Sequence, residues 1–256
     1  MFGKLLKHEI KSVGKWYFGL YGLSLILSCL LGLWIRTIDM RTEFSSDSEA
    51  IMLGVSVFAY AIIMVSVAIS TFLLVVNRFR KNIYGRQGYL TMTLPVSPHL
   101  LILSKLAAAL IWNLLAVIVI LLGIFLTISI SGVDDFSSIF YSFGYLEYWG
   151  ASPQYVLQPI IEWITSILLI YFSISIGQLF KDYRTLMAIV TYFIINFFVG
   201  SFVAIFYSVN MMTMDSYVNP SALVLPNLVL TIITILLGIA YYFGTYYIMT
   251  KKLNLQ

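Results

Sequence analysis

The sequence predicts an all-α membrane protein with six transmembrane helices, and three observations lead to that class. The first is composition: hydrophobic residues make up 61% of the 256 positions, charged residues only 10%, and the mean hydropathy is +0.95. Soluble domains average ~45–50% apolar and ~25% charged residues. A soluble fold of this size could not cover so much apolar surface with polar atoms, so the composition excludes that class.

The second observation is a set of six apolar stretches, each long enough to cross the ~30 Å hydrocarbon core of a bilayer with ~20 residues. The predicted spans are residues 16–35, 51–76, 106–130, 156–179, 186–207 and 226–249. Glu162 is the only charged residue within them. Because it follows Pro159 closely, we expect its carboxylate near the outer interface rather than at mid-membrane.

The third observation is the asymmetry of Lys and Arg, which concentrate on the cytoplasmic side of membrane proteins. Thirteen of the 15 lie in the N-terminal segment, the loops that follow the second and fourth spans, and the C-terminus. The opposite side has only Arg36 and Arg41 and carries eight of the eleven acidic residues. We therefore expect both termini in the cytoplasm, which requires an even number of spans.

Residues 1–15 are predicted to form an amphipathic helix before the first span. Phe2, Leu6 and Ile10 recur four residues apart, and lysines occupy another face. A helix of this kind lies along the membrane surface with its apolar side among the headgroups. It could be only a topology anchor, or it could also contact a cytoplasmic partner.

The loop after the second span, residues 77–105, is the most informative segment because a simple connection needs only a few residues. Gly85 and Gly88 are expected to end the helix that leaves the membrane, and two prolines interrupt the chain again before the third span. A short half-apolar segment, 89–94, lies between them. Two interpretations remain open: an element that enters the groove of a partner protein, or an interfacial helix that contacts only lipid.

The chain lacks the residues that most enzyme classes need. It has no G-x-x-x-x-G-K-[ST] pattern, so we do not expect it to bind and hydrolyse ATP by itself. His8 and His99 are its only histidines and Cys29 its only cysteine, which leaves no zinc-ligand set and no histidine within a span for serine hydrolysis. We expect no catalysis, cofactor or metal in this chain.

Weakly polar side chains within the spans are candidates for a translocation path. They are Ser56, Ser66 and Ser70 in the second span and Thr191, Asn196 and Ser201 in the fifth. Small residues also recur at a spacing of four, as at Ser173 and Gly177, where close helix packing is the default explanation. Because no charge lies at mid-membrane, an amphipathic or hydrophobic cargo suits the path better than a sugar or an ion.

The loop resembles that of permease subunits in the bacterial ABC type-2 exporter superfamily, in particular its Firmicutes branch. The pattern G-x-x-G-Y-L-T-x-T-L-P-V-S begins at Gly85, and it is followed by Leu100, Leu101, Ser104, Lys105 and Leu106. The basic start, residues 3–11, and the close at residues 251–255 are also similar. The resemblance covers both ends, this loop and the six-span layout.

The resemblance implies one ABC type-2 transmembrane domain over residues 1–256, in the bacterial cytoplasmic membrane, acting as a half-transporter. Two permease copies, identical or related, would face each other, and two separate P-loop ATPase subunits would bind ATP and Mg. The coupling helix that contacts the ATPase would comprise Tyr84, Gly85, Arg86, Gln87, Gly88, Tyr89, Leu90, Thr91 and Leu94. A second, smaller contact would comprise Lys181, Asp182, Tyr183 and Arg184, and residues 1–15 would be the connecting helix.

The expected cargo is an amphipathic or hydrophobic peptide. Relatives in this branch include exporters of peptide toxins such as phenol-soluble modulins, and antimicrobial-peptide immunity systems. Two alternatives belong to other classes. An ion-coupled secondary transporter would need inverted repeats and ionisable residues in the membrane, for which Glu162 alone is weak support. An accessory or structural membrane protein would share the composition without needing the long loop.

Overall fold

The computed structural model describes residues 2–39, 47–85, 97–132, 154–213 and 224–252. All regular structure in these ranges is helical. The α-helices are α1 (Phe2–Asp39), α2 (Asp47–Phe79), α3 (Pro98–Ser131), α4 (Gln154–Gly177), α5 (Arg184–Thr213) and α6 (Val224–Lys251). A π-helical segment, Arg80–Tyr84, continues α2.

Within the described residues, each of the six α-helices contains a stretch that by length and composition could cross a membrane, which confirms the predicted number of spans. The stretches are Tyr17–Thr37, Gly54–Tyr84, Pro98–Ser131, Leu157–Gly177, Arg184–Asn210 and Asn227–Lys251. The second and third extend furthest beyond the predicted spans, into the loop that joins them. Their added turns carry Arg78, Arg80 and Lys81 at the end of the second and Lys105 at the start of the third, where Lys105 is only 5% exposed.

The structure differs from the prediction at the N-terminus, where residues 2–39 form one uninterrupted helix. The predicted amphipathic segment is therefore the first part of the helix that carries the first span. A helical glycine such as Gly14 destabilises by only about 1 kcal/mol, and Ile10 and Tyr17 on either side of it pack against the protein core. The first span begins at Tyr17, close to the predicted start, and no helix end separates it from the segment before it.

The predicted helix breaks around the long loop are confirmed at the two positions that the structure describes. Gly85 follows the π-helical segment in an extended conformation with φ −89° and ψ −172°. A Cβ there would lie 2.5 Å from the Lys81 backbone oxygen, so only glycine fits this exit. Pro98 is the first residue of α3, a position where a helix does not use the missing N–H. Gly88 and Pro95 lie outside the described residues.

The chain divides into two compact units, of which the first comprises Met1–Val75 and Ala107–Tyr145. Its core is a cluster of buried residues from α1, α2 and α3: Tyr21, Val67, Trp112, Ala116 and Val119. The Trp112 ring also lies beside the rings of Tyr17 and Phe18, at centroid distances of 5.2 and 6.0 Å. Packing of this kind supplies dispersion contacts that hold helices together where the surrounding lipid removes the hydrophobic driving force.

Three hydroxyl groups form a hydrogen-bonded cluster within the first unit. The hydroxyls of Ser28 on α1 and Tyr60 on α2 lie 2.8 Å apart. The Thr127 hydroxyl on α3 lies 3.4 Å from the Tyr60 hydroxyl, and it donates to the backbone oxygen of Gly123 in its own helix at 2.9 Å. Polar groups within a membrane span must find partners in the protein, and here three helices supply them to one another.

Gly123→Ala is expected to destabilise this unit by about 1–3 kcal/mol, because the added methyl group overpacks a filled site. The Cβ would fall 2.8 Å from Ser28 Oγ and 3.0 Å from the Tyr60 hydroxyl, which are held by their mutual hydrogen bond. The effect should appear as a lower midpoint of thermal unfolding in detergent. Gly54→Ala is the matched control, since nothing lies within 4 Å of its Cβ position. Equal midpoints for the two variants would contradict the close contact.

The second unit comprises Val76–Leu106 and Leu146–Gln256. Within it, α4 and α6 lie side by side: a Cβ at Gly238 would fall 2.9 Å from Thr165 Oγ1, and Phe172 stacks on Tyr241 with centroids 5.5 Å apart. Because these contacts advance together along both helices, α4 and α6 run parallel, as the fourth and sixth spans should.

Candidate functional site

Several helix ends in the second unit meet at one level, which we call the basic end. It consists of the π-helical segment, the last turns of α4 and α6, and the first turns of α3 and α5. The contacts that join these parts are Phe79–Tyr171, Tyr84–Ser175, Arg80–Thr185 and His99–Tyr246. Its basic side chains include Arg80, Lys81, Lys181, Arg184, Lys251 and Lys252. The charge pattern of the sequence predicts these same segments on the cytoplasmic side.

The centre of the basic end is an aromatic stack between Phe79 and Tyr171. The ring centroids lie 3.9 Å apart, with the ring planes within 7° of parallel. Both side chains are 1% exposed, and Ile83, one turn after Phe79, is completely buried. Stacked, buried rings make many close contacts, so this pair fixes the end of α2 against α4.

Two side-chain hydrogen bonds fasten the π-helical segment to the neighbouring helices. The Tyr84 hydroxyl donates to Ser175 Oγ at 2.7 Å, and Ser175 donates in turn to the Tyr171 backbone oxygen at 2.8 Å. Arg80 Nη1 donates to Thr185 Oγ1, in the first turn of α5, at 2.8 Å. The segment is therefore bonded to α4 and to α5. Single π-helical turns within α-helices are often found at functional sites.

The connection between α4 and α5 is a tight turn that projects charged and aromatic side chains. Lys181, Asp182 and Tyr183 are exposed, Tyr183 to 79%. Tyr183 also has a positive φ of 55°, a strained conformation for a bulky side chain. Its backbone oxygen accepts a hydrogen bond from the Met187 N–H at 2.9 Å, so the turn leads directly into α5.

Gly177 allows this hairpin to close. A Cβ at this position would fall 2.6 Å from the Arg184 backbone oxygen and 2.8 Å from the Ala188 nitrogen. Both are backbone atoms of α5, which cannot rotate away as a flexible side chain could. The prediction that small residues in the spans serve close packing is confirmed here.

Of the residues predicted for the coupling helix, the structure describes Tyr84 and Gly85. The Tyr84 hydroxyl is bonded to the fully buried Ser175, so it anchors the loop to α4 rather than facing a partner. Gly85 is the exit from the π-helical segment. Arg86, Gln87, Gly88, Tyr89, Leu90, Thr91 and Leu94 lie outside the described residues.

The serines proposed for a path in the second span lie on one side of α2. Ser66 and Ser70 are four residues apart, and Ser56 lies about 80° from Ser66 around the helix. Ser66 Oγ donates to the Ile62 backbone oxygen at 2.7 Å, and Ser70 Oγ to that of Ser66 at 2.6 Å. The hydroxyls of Ser66 and Ser70 are thus bonded within their own helix, and this side of α2 is only weakly polar.

The three path candidates of the fifth span do not share a face of α5. Thr191, Asn196 and Ser201 follow at intervals of five residues, so successive members lie about 140° apart around the helix. Thr191 Oγ1 and Asn196 Nδ2 each donate to the backbone oxygen four residues earlier, at 2.7 and 2.9 Å. Thr191 and Ser201 therefore lie about 80° apart, while Asn196 lies on another side of α5, and a path lined by all three stays a prediction.

Sequence reasoning missed three of the residues that assemble the basic end: Phe79, Tyr171 and Ser175. The two aromatic residues belong to apolar spans rich in similar side chains, and Ser175 follows no periodic pattern. The available signal was Arg80, a charge just beyond an apolar helix, which the sequence identified only as a contribution to topology.

Within the described residues, no group of three or more His, Cys, Asp or Glu is placed to hold a metal ion. Glu162 is exposed, and Gln158 Nε2, one turn earlier, donates to its Oε1 at 2.9 Å. No family model matches the chain, and comparisons with curated proteins and with solved structures find no match.

Proposed function

We propose that this chain is the permease subunit of an ATP-driven ABC exporter, moved from the cytoplasm by separate ATPase subunits that bind ATP and Mg. One observation carries the proposal. The two segments that the sequence resemblance assigns to ATPase contact begin at the same basic end. The Arg80–Thr185 hydrogen bond joins the π-helical segment before the first of them to the start of α5, directly after the second. The π-helical segment leads directly to residues 86–94, and Thr185 adjoins the exposed turn at residues 181–184.

The packing at this end supports a mechanical role. A displacement of the loop would reach α2 and the α4–α5 hairpin together, because the Phe79–Tyr171 stack and the Tyr84–Ser175 hydrogen bond connect them. Movement of packed elements as rigid bodies is the usual route of such transmission. ATP can drive the movement only if the ATPase binds two permease conformations with different affinity.

The charges and the uncovered surfaces of the second unit suit the partners in this proposal. Exposed lysines at 81, 181, 251 and 252 would lie among anionic cytoplasmic headgroups or against an acidic partner surface. No residue in the most apolar window of α5 is buried within the described chain, which leaves this helix for lipid or a second permease copy. A weakly polar path, lined in part by hydroxyls of α2, suits an amphipathic or hydrophobic peptide.

Leu90→Asp and Arg86→Glu test the proposal at the centre of the loop. A charged or reversed side chain in a partner's groove removes a buried contact, and such losses reach 2 kcal/mol or more. We expect both variants to insert normally but to lower export in proteoliposomes, and cargo-stimulated ATP hydrolysis, by about tenfold or more.

Leu157→Asp is the matched control, because it places the same change on an exposed leucine at the opposite end of α4. It should keep the parent's export rate. Undiminished export in Leu90→Asp and Arg86→Glu, or purification from native membranes without any bound P-loop ATPase, would overturn the proposal.

A further inference from the structure

The second unit contains a cleft of about 320 Å³ between the start of α3, α4 and α6. Its walls are apolar and include Leu103, Ile161, Leu168, Ile235 and Ile239. The cleft is open along one side, where Leu103, Ile235 and Ile239 are each more than 40% exposed. Gly238 and Thr165, which pack against each other, also line it.

One end of the cleft is polar, and this end faces the basic end of the unit. Tyr242 lines the cleft, and its hydroxyl lies 2.7 Å from His99 Nδ1. The His99 ring stacks on Tyr246 with centroids 4.1 Å apart. The exposed Lys251, which is the last residue of α6, and Lys252 follow Tyr246 by one to two turns. The cleft therefore has apolar walls and a polar end formed by the His99 imidazole and the Tyr242 phenol, and positive charge lies beyond that end.

The size and polarity of the cleft restrict what can fill it. Water is disfavoured, because cavities with apolar walls stay dry. The cleft extends over about 12 Å along α6, from residue 235 to 243, and its cross-section can be compared with that of a helix, which is about 10–12 Å wide with its side chains. A volume of 320 Å³ over that length leaves a mean cross-section of roughly 27 Å². That section admits a single hydrocarbon chain but not a helix.

We propose that this cleft binds one acyl chain of an anionic phospholipid, with the headgroup at the basic end beside His99. The helices that form the walls are membrane spans by length and composition, so lipid chains are the medium at its open side. An empty cleft would forfeit dispersion contacts along its walls, which an acyl chain restores. Lys251 and Lys252 favour an anionic headgroup, because basic residues near a membrane surface attract such lipids at about 1 kcal/mol each.

Photolabelling tests the site with the full chain in nanodiscs of mixed phosphatidylglycerol and phosphatidylcholine. The probe is phosphatidylglycerol with a diazirine on its acyl chain, and peptide mass spectrometry locates the adducts. We expect labelling of residues 98–106, 161–168 and 235–243 to exceed that of the equally apolar and exposed α5 by at least fivefold. The same probe built on phosphatidylcholine should label these residues more weakly.

Filling variants make the test specific. Leu103→Trp and Ile235→Trp place bulk in the cleft at exposed positions, and each should reduce labelling of the remaining walls severalfold without changing the midpoint of thermal unfolding. Phe197→Trp on the exposed side of α5 is the control and should leave the pattern unchanged. Labelling no stronger than on α5, equal labelling by both probes, or unchanged labelling in both filled variants would overturn the proposal.

A second measurement separates lipid from protein. In a Cys29→Ser background, Ile239→Cys places one thiol at the cleft mouth, and a short bifunctional maleimide should give no dimer. Efficient dimer formation through this cysteine would show that the cleft is an interface between two copies, which would also overturn the proposal.

Discussion

Phe79→Ala should destabilise the second unit by about 3–5 kcal/mol, the range typical of buried aromatic residues truncated to alanine. The substitution leaves a cavity beside Tyr171, whose ring lies 3.9 Å away in parallel stacking. Both rings are 1% exposed, so neither lipid nor water can easily replace the lost contacts. The end of α2 would lose its main attachment to α4, and we expect a marked drop in the midpoint of thermal unfolding in detergent.

The matched control is Phe197→Ala on α5, because Phe197 is 71% exposed and has no comparable burial. Substitutions at such positions change stability by only about 0.5 kcal/mol in either direction. If Phe79→Ala were as stable as this control, the stack would not be what holds α2 to α4. In the proposed exporter, Phe79→Ala should also reduce export per ATP hydrolysed, because a loosely held α2 transmits less of the loop's movement.

Gly177→Val should disrupt the α4–α5 hairpin and sharply reduce the yield of folded protein. Even the first added carbon would lie 2.6 Å from the Arg184 backbone oxygen and 2.7 Å from the Ala188 Cβ. Overpacking against side chains already destabilises by about 1–3 kcal/mol, and here two of the three nearest atoms belong to backbone. Size-exclusion chromatography of the detergent extract measures the result as loss of the monodisperse peak.

Gly200→Val provides the comparison for this second variant. Gly200 is also a glycine within a span, on α5, but nothing lies within 4 Å of its Cβ position. The variant should therefore elute like the parent protein. A normal elution profile for Gly177→Val would mean that α4 and α5 can separate at the turn without loss of the fold.

The six spans are predictable from sequence because the cause is local. A bilayer demands about 20 consecutive apolar residues in a helix that satisfies its own backbone hydrogen bonds, and each stretch meets that demand irrespective of its neighbours. Gly85 is similarly predictable as a helix end, because the atom that a Cβ at this position would clash with, the Lys81 backbone oxygen, lies only one turn earlier in the chain. The first span begins close to the expected residue, at Tyr17, but the separate helix expected before it was wrong, because α1 continues through this position.

That error has a physical explanation. Amphipathic spacing in residues 2–15 is compatible with a helix that lies on lipid or with one that packs on protein, and periodicity does not distinguish the two. Ile10 packs against the core that contains Trp112. The apolar stripe is thus covered in part by distant parts of the chain, which no local pattern reveals.

In the candidate site, too, the sequence predicts local features but not the contacts between distant parts of the chain. Resemblance and charge identify the loop and the turn at residues 181–184, but not that Arg80 bonds Thr185 or that Tyr84 turns inward to Ser175. These pairs are separated by 105 and 91 positions in sequence. The five-residue spacing of Thr191, Asn196 and Ser201, by contrast, is a local feature of the sequence, and it already places Asn196 about 140° around a helix from each of the other two.

The sequence by itself determined the class of the protein and the number of its spans, and it supplies the charge asymmetry on which their expected orientation rests, because each follows from transfer of short segments between water and lipid. The tertiary structure decided which ends meet, which aromatic rings stack and where a cleft remains open. Those outcomes depend on the shapes of side chains brought together from distant positions, and in lipid that packing is what distinguishes one arrangement of similar apolar helices from another.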